Sequence, residues 1–190
     1  MRILILIQLI LGLLYIDCKE KDCPEVNQKF PNFSPMKWMQ SSELTITNLK
    51  GKVVLLRWWT DNCSFCINTS ESLNTWYSSY HSKGLEIIGL YHPKPKGRRP
   101  STEEIKQYII EKEFQFPIAL DLNWRNLDRF WFNCGNKDFT SVSFLLDKKG
   151  VIRIIHPGGE YHEEVEEGHE TCVRDYHQID STIRLLLSEE

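Results

Sequence analysis

Two cysteines, Cys63 and Cys66, are the residues of this chain best suited to chemistry. They end the stretch WWTDNCSFC, residues 58–66, which follows an apolar run and precedes a helical pattern. A cysteine at a helix N-terminus meets unpaired backbone N–H groups and the positive end of the helix dipole, and both favour the thiolate. The spacing therefore predicts that Cys63 is the attacking sulfur and that Cys66, one turn on, resolves a mixed disulfide.

Two other interpretations of this cysteine pair are a structural crosslink and half of a zinc site. A disulfide between residues three apart closes too short a loop to stabilise much, and a zinc site needs a second compact pair of ligands. We therefore predict a redox-active disulfide that requires no cofactor. Trp59, Thr60 and Asp61 are its expected neighbours, and a carboxylate as close as Asp61 would oppose the thiolate.

The elements around the cysteines follow from the apolar pattern. Residues 52–59 and 85–91 predict two buried strands, and residues 67–82 predict a helix between them. Such a unit makes the two strands parallel, with a right-handed crossover. The further elements expected are a helix from residue 101, a strand at 116–120, a helix near 124–131, an antiparallel hairpin over 143–156 and a helix over 170–188. This order predicts an α/β protein with a thioredoxin-like fold: a central mixed sheet, flanking helices, an N-terminal extension and a long loop before the last helix.

Residues 51–66, GKVVLLRWWTDNCSFC, resemble the GKVVLLNFWASWCPPC stretch of TlpA/ResA-type thiol-disulfide oxidoreductases, within the redoxin or AhpC/TSA-like group. Residues 83–90 and 143–150 resemble two further stretches of that family. The resemblance implies exchange with protein thiols and disulfides, and an upstream thiol donor that resets the pair. Where the family has Val and a cis-proline, this chain has Thr140 and Ser141. A cis bond before a non-proline residue costs about 3–4 kcal/mol, so we expect a trans bond and an altered substrate groove.

The long loop before the last helix holds three histidines and leads to a cysteine: His156, His162, His169 and Cys172. In a thioredoxin-like fold the hairpin returns to the end of the sheet that holds Cys63, so this loop is expected beside it. Three hypotheses follow. Cys134 and Cys172 form a structural disulfide, which we favour, or they form a second redox pair, or Cys172 and the three histidines hold a soft metal such as copper or zinc.

Two other functions remain open. A metal-binding module would resemble the Sco-type redoxin proteins, which act as copper chaperones on the same fold. A thiol peroxidase would need a Pro-x-x-x-Thr-x-x-Cys arrangement; Thr60 is three residues before Cys63, but Leu56 stands where the proline belongs.

The N-terminus predicts export. Residues 1–17 hold one arginine and then an apolar run of signal-peptide length, which indicates a signal peptide or membrane anchor. Cys18 would be acylated if the protein is a lipoprotein, although Asp17 before it is larger than usual. Residues 18–32 are expected to form a tether and residues 33–190 the redoxin domain, in the periplasm or cell envelope. A net charge of −3 offers no general attraction to nucleic acid.

Overall fold

The computed structural model describes residues 23–164 and 167–189. The signal peptide or anchor predicted over residues 1–17, and the acylation predicted at Cys18, lie outside these residues. Within the described part of the chain, the helices are too short or too polar to cross a membrane.

One mixed sheet of six strands forms the centre of the described domain. The strands are β1 (Lys37–Met39), β2 (Val53–Trp59), β3 (Leu85–Tyr91), β4 (Ile118–Leu120), β5 (Ser143–Leu146) and β6 (Ile152–His156). Their order across the sheet is β1-β4-β3-β2-β5-β6, in which β2, β3 and β4 are parallel and the other pairings are antiparallel. The predicted parallel unit and the predicted hairpin are both confirmed.

In the described ranges, four α-helices cover the sheet: α1 (Ser64–Tyr80), α2 (Thr102–Glu111), α3 (Arg125–Phe130) and α4 (Glu170–Ser188). Short 3₁₀ turns follow α1 at His81–Lys83 and α3 at Phe132–Cys134. Helix α2 begins at a capping box, in which the Ser101 side chain accepts from the Glu104 N–H and the Glu104 carboxylate accepts from the Ser101 N–H. Helix α1 begins three residues before its predicted start, so it includes Cys66.

An apolar core lies on each face of the sheet, and strand β2 contributes to both. Every residue of β2 is buried, and successive side chains point to opposite faces. Trp59 packs against Tyr91, with ring centroids 4.9 Å apart, on the face covered by α1, α2 and α4. Trp58 packs against Phe144, at 5.9 Å, on the face covered by α3. The carboxyl end of β2 is therefore fixed from both sides, and residues 60–66 continue from a rigid strand.

The described part of the predicted tether belongs to the domain. Phe30 is 4% exposed and lies in the core beside Phe144, and Lys29 forms an isolated bridge to Val151. The prediction of a tether is therefore wrong for residues 23–32, of which residues 27–30 hydrogen-bond along the start of β6 and the turn before it.

A disulfide joins Cys23 to Cys134, with Cα atoms 5.5 Å apart and a sequence separation of 111. The predicted Cys134–Cys172 disulfide is therefore wrong, and so is a redox relay through that pair. Cys172 is a free thiol. Cysteine spacing alone does not reveal connectivity, and a tether over residues 18–32 would place Cys23 outside the folded domain.

We expect the Cys23→Ser/Cys134→Ser variant to lose about 3 kcal/mol of free energy of unfolding, because the crosslink restricts a long loop of the unfolded chain. The double substitution leaves no unpaired partner to form other disulfides. Urea denaturation of both proteins without reductant measures the difference. An unchanged free energy of unfolding would show that this bond does not stabilise the domain.

Candidate active site

Cys63 is the residue that caps the N-terminus of α1. Its backbone is extended, and its carbonyl accepts from the N–H groups of Cys66 and Ile67 at 3.1 and 3.0 Å. Cys63 is half-buried, whereas Cys66 is 4% exposed. One sulfur can therefore be reached from solvent while the other is covered, an arrangement that suits an attacking and a resolving cysteine.

The pKa values of the two thiols are shifted in opposite directions. The Cys66 side chain hydrogen-bonds to the Cys63 sulfur and lowers the pKa of Cys63 to about 6; burial opposes this effect, and the Cys66 N–H and the charges of Arg57 and Lys94 add to it. The same hydrogen bond, together with burial, raises the pKa of Cys66. Cys63 is therefore mainly a thiolate at neutral pH, and Cys66 is a protonated donor to it.

A buried arginine lies behind the thiol pair. Arg57 of β2 is fully buried, and its guanidinium donates to the Gly159 carbonyl at 2.8 Å, to the Ser141 carbonyl, and to the Ser143 hydroxyl at 3.2 Å. It also lies over the Tyr161 ring, 5.0 Å from the centroid. Among the described residues its hydrogen-bond partners are all neutral, so its charge remains available to stabilise a thiolate nearby.

Asp61 is neutralised by its surroundings and does not act as a bare charge beside Cys63. Arg98 and the Tyr91 hydroxyl, at 3.0 Å, both donate to its carboxylate. Burial raises the pKa of Asp61, but these hydrogen bonds and the charge of Arg98 outweigh burial and lower it. The expected opposition between Asp61 and the thiolate is thus offset by a residue from the loop after β3.

Trp59 and Thr60 form the buried wall beneath the cysteines. Trp59 is 2% exposed and stacks on Tyr108 of α2, with centroids 5.1 Å apart. Thr60 is 1% exposed, and its backbone hydrogen-bonds to the Cys66 thiol. Both lie beside the thiol pair; Trp59 acts by packing, and Thr60 acts by hydrogen bonding.

The segment that replaces the family's cis-proline contacts the long loop. Lys94–Pro95 is the one cis peptide bond in the described ranges, so the bond between Thr140 and Ser141 is trans, as predicted. The Ser141 hydroxyl accepts from the Gly159 N–H at 3.2 Å and can donate to the Gly159 carbonyl at 3.4 Å. A side chain in the place of Gly158 would overlap Phe139, so only glycine allows the loop to approach this closely.

The histidines of the loop divide into two groups. His162, His169 and Cys172 lie together, as the metal hypothesis required, but the fourth residue of their cluster is Glu160 and not His156. His156 instead lies 3.2 Å from the Asp175 carboxylate, where burial lowers its pKa to about 4. The predicted ligand set is therefore wrong at His156, because β6 directs this side chain into the domain.

Arg57, Arg98 and Glu160 are site residues that the sequence interpretation missed. A charged residue inside the apolar run of β2 was the one visible signal for Arg57, since it stands where the related family stretch has asparagine. Arg98 and Glu160 lie in segments with many exposed charges, and their sequence context does not distinguish them from their neighbours.

The sequence of this chain is similar to those of known proteins. Thiol-disulfide oxidoreductase ResA from Bacillus cereus is 28% identical over 153 residues, which cover 79% of each chain. Protein DipZ from Mycobacterium bovis is 27% identical over 146 residues, but these cover 77% of this chain and only 18% of DipZ.

A solved structure shows the same fold. The thioredoxin domain of a thiol-disulfide oxidoreductase from Bacteroides vulgatus superposes with a TM-score of 0.60 at 18% identity, covering 84% of this chain and 98% of that one. The predicted thioredoxin-like fold is thereby confirmed. The model of the AhpC/TSA family matches residues 26–155, a span that contains the thiol pair, Arg57 and Ser141. The chain therefore belongs to the AhpC/TSA family.

Proposed function

We propose that the protein is a thiol-disulfide oxidoreductase that exchanges disulfides through Cys63 and Cys66. The observation that carries this proposal is the asymmetry of the pair: Cys63 is accessible with a pKa of about 6, whereas Cys66 is buried and its pKa is raised. A relative named for this activity supports the proposal.

In the first step, the Cys63 thiolate attacks one sulfur of a substrate disulfide. The new bond joins Cys63 to that sulfur, the substrate bond breaks, and the other substrate sulfur leaves as a thiolate. The charge of Arg57 and the N–H groups at the start of α1 favour the attacking form. At neutral pH no separate base is needed, because Cys63 has already lost its proton.

In the second step, Cys66 resolves the mixed disulfide. The hydrogen bond to Cys63 is the first cause of the raised pKa of Cys66, and it is lost once Cys63 is no longer a thiolate. Cys66 then loses its proton more readily, attacks the Cys63 sulfur and releases the second substrate thiol. One cycle moves two electrons to the substrate and leaves a Cys63–Cys66 disulfide, which an upstream thiol donor reduces again.

The surface beside Cys63 supports protein substrates. Phe65 is 38% exposed and lies edge to face with Phe139, which is 39% exposed. Ile67, one turn after Cys63, is 40% exposed. Exposed apolar side chains around a reactive thiol suit an unfolded or extended polypeptide better than a small polar thiol.

We place the protein outside the cytosol, in the periplasm or cell envelope. The Cys23–Cys134 disulfide supports this location, because such bonds persist in oxidising compartments. Residues 1–17 would then serve as a signal peptide or membrane anchor, with Cys18 as the residue available for acylation.

The Cys66→Ser variant tests the proposed mechanism. It keeps the attacking thiol but removes the resolving one, so we expect reduced Cys66→Ser protein to form a stable mixed disulfide with insulin, visible on a non-reducing gel and removed by dithiothreitol. The wild type should release insulin chains without accumulating the adduct.

The Cys63→Ser/Cys66→Ser variant is the matched control and should form no adduct. If this control traps insulin as well as Cys66→Ser does, another thiol is the nucleophile and the proposal fails. If Cys66→Ser itself forms no adduct, Cys63 is not an attacking thiol.

A further inference from the structure

A second group of chemically capable side chains lies in the loop between β6 and α4. It consists of Glu160, His162, His169 and Cys172, each half-buried, and we call it the loop cluster. One donor atom from each residue lies within 4.8 Å of all the others. The proposed disulfide exchange uses none of these residues.

The ring of His162 is oriented with a lone pair toward the loop cluster. Its Nδ1 lies 2.9 Å from the Glu164 carbonyl, which can only accept, so Nδ1 carries the hydrogen. In the neutral ring Nε2 is then unprotonated, and it lies 2.9 Å from Nδ1 of His169. A backbone carbonyl that fixes the tautomer in this way is the usual support of a metal-binding histidine.

Glu160 is held in a similar manner. Its Oε2 accepts from the Asn68 amide of α1 at 2.6 Å, and this leaves Oε1 to face the loop cluster. Oε1 lies 3.6 Å from Nδ1 of His169 and 4.0 Å from Sγ of Cys172. The carboxylate is thus oriented by a residue outside the cluster, and its free oxygen points at the other three donors.

The spacing of the four donor atoms and their total charge both suit a divalent transition metal. Bonds of about 2.0–2.3 Å to zinc place tetrahedral ligands roughly 3.3–3.8 Å apart, so shifts of about 1 Å or less would bring these donors to that spacing. A thiolate, a carboxylate and two neutral imidazoles give two negative charges, which a divalent ion neutralises. One sulfur, two nitrogens and one oxygen form a donor set for zinc rather than for magnesium or calcium.

We propose that the loop cluster is a tetrahedral zinc site with Glu160, His162, His169 and Cys172 as its four ligands. Four protein ligands leave no open position, so the site is structural. It fixes the long loop to the first turn of α4, and through Asn68 it couples both to the helix that begins at Cys63. Zinc binding should therefore raise the thermal stability of the protein.

Cobalt(II) titration of the full chain tests the proposal, in a Cys63→Ser/Cys66→Ser background so that the dithiol cannot supply thiolates. We expect one equivalent of cobalt to bind with the visible bands of a tetrahedral ion and a thiolate-to-metal charge-transfer band, and one equivalent of zinc to remove both. Adding Cys172→Ser should abolish the charge-transfer band. Adding His162→Ala should weaken cobalt binding at least about tenfold.

His177→Ala is the matched control, because His177 is an exposed histidine of α4 outside the loop cluster. It should bind cobalt as the background protein does. Metal-free thermal unfolding of each variant shows whether it is folded. The proposal is overturned if the charge-transfer band persists in Cys172→Ser, if folded His162→Ala binds cobalt as tightly as the control, or if no cobalt binds. The thiol pair is absent throughout, so failure here leaves the proposed disulfide exchange untouched.

Discussion

The Cys63→Ser variant is expected to reduce insulin disulfides at least about a thousandfold more slowly than the wild type, with dithiothreitol as the terminal donor and its background rate subtracted. A serine hydroxyl at this position stays protonated at neutral pH, whereas the Cys63 thiol, with its pKa of about 6, is mainly ionised. Cys66 cannot replace it, because Cys66 is buried and its pKa is raised.

Ser78→Ala is a suitable control for this experiment. Ser78 lies on an exposed part of α1, where its hydroxyl bonds only to the Thr75 carbonyl among the described residues. This variant should turn over at the wild-type rate, and thermal unfolding of Cys63→Ser should match that of the wild type under reducing conditions. Substantial turnover by folded Cys63→Ser would exclude Cys63 as the nucleophile.

Replacing Arg57 with methionine is expected to change both stability and reactivity. The substitution leaves the Ser141 and Gly159 carbonyls without their buried donor, and we expect the free energy of unfolding to fall by about 3–5 kcal/mol. It also removes a positive charge that favours the Cys63 thiolate, so the pKa of Cys63 should rise above 6. Urea denaturation measures the first effect, and the pH dependence of iodoacetamide alkylation of the reduced protein measures the second.

The Arg57→Lys variant separates the effect of the positive charge from the effect of the hydrogen bonds. A lysine keeps the charge but cannot reproduce the planar fork of donors, so it should lose stability while the pKa of Cys63 stays close to that of the wild type. The same alkylation midpoint in Arg57→Met and in the wild type would mean that the buried charge does not act on Cys63. If Arg57→Met has the same free energy of unfolding as the wild type, the Ser141 and Gly159 carbonyls find other hydrogen-bond donors.

The fold could be predicted because its signals are local. The apolar run of β2, the glycine after α1 and the turn between β5 and β6 each specify an element, and the order of elements then leaves few topologies. The position of Cys63 and Cys66 at the start of α1 could be predicted for the same reason, since a strand precedes them and a helix follows.

The parts that could not be predicted depend on contacts between distant segments. The partner of Cys23 is 111 residues away, and cysteine spacing carries no record of it. Glu160 joins the histidines because Asn68 holds its carboxylate, while His156 turns inward to Asp175. Arg57 was visible as a charge in a buried strand, but its four neutral oxygen partners come from α1, from β5 and the segment before it, and from the loop after β6.

The Cys23–Cys134 disulfide imposes a selectivity requirement on any donor that serves this protein. When Cys63 and Cys66 are oxidised, as the proposed function requires, the described residues hold two disulfides, and only Cys63–Cys66 can cycle if residues 23–32 are to stay crosslinked to the domain. On that proposal, a physiological donor delivers two electrons per molecule rather than four, and it reduces Cys63–Cys66 while leaving Cys23–Cys134 intact. On the proposed function, the protein both exchanges disulfides and carries one, Cys23–Cys134, that its donor must leave intact.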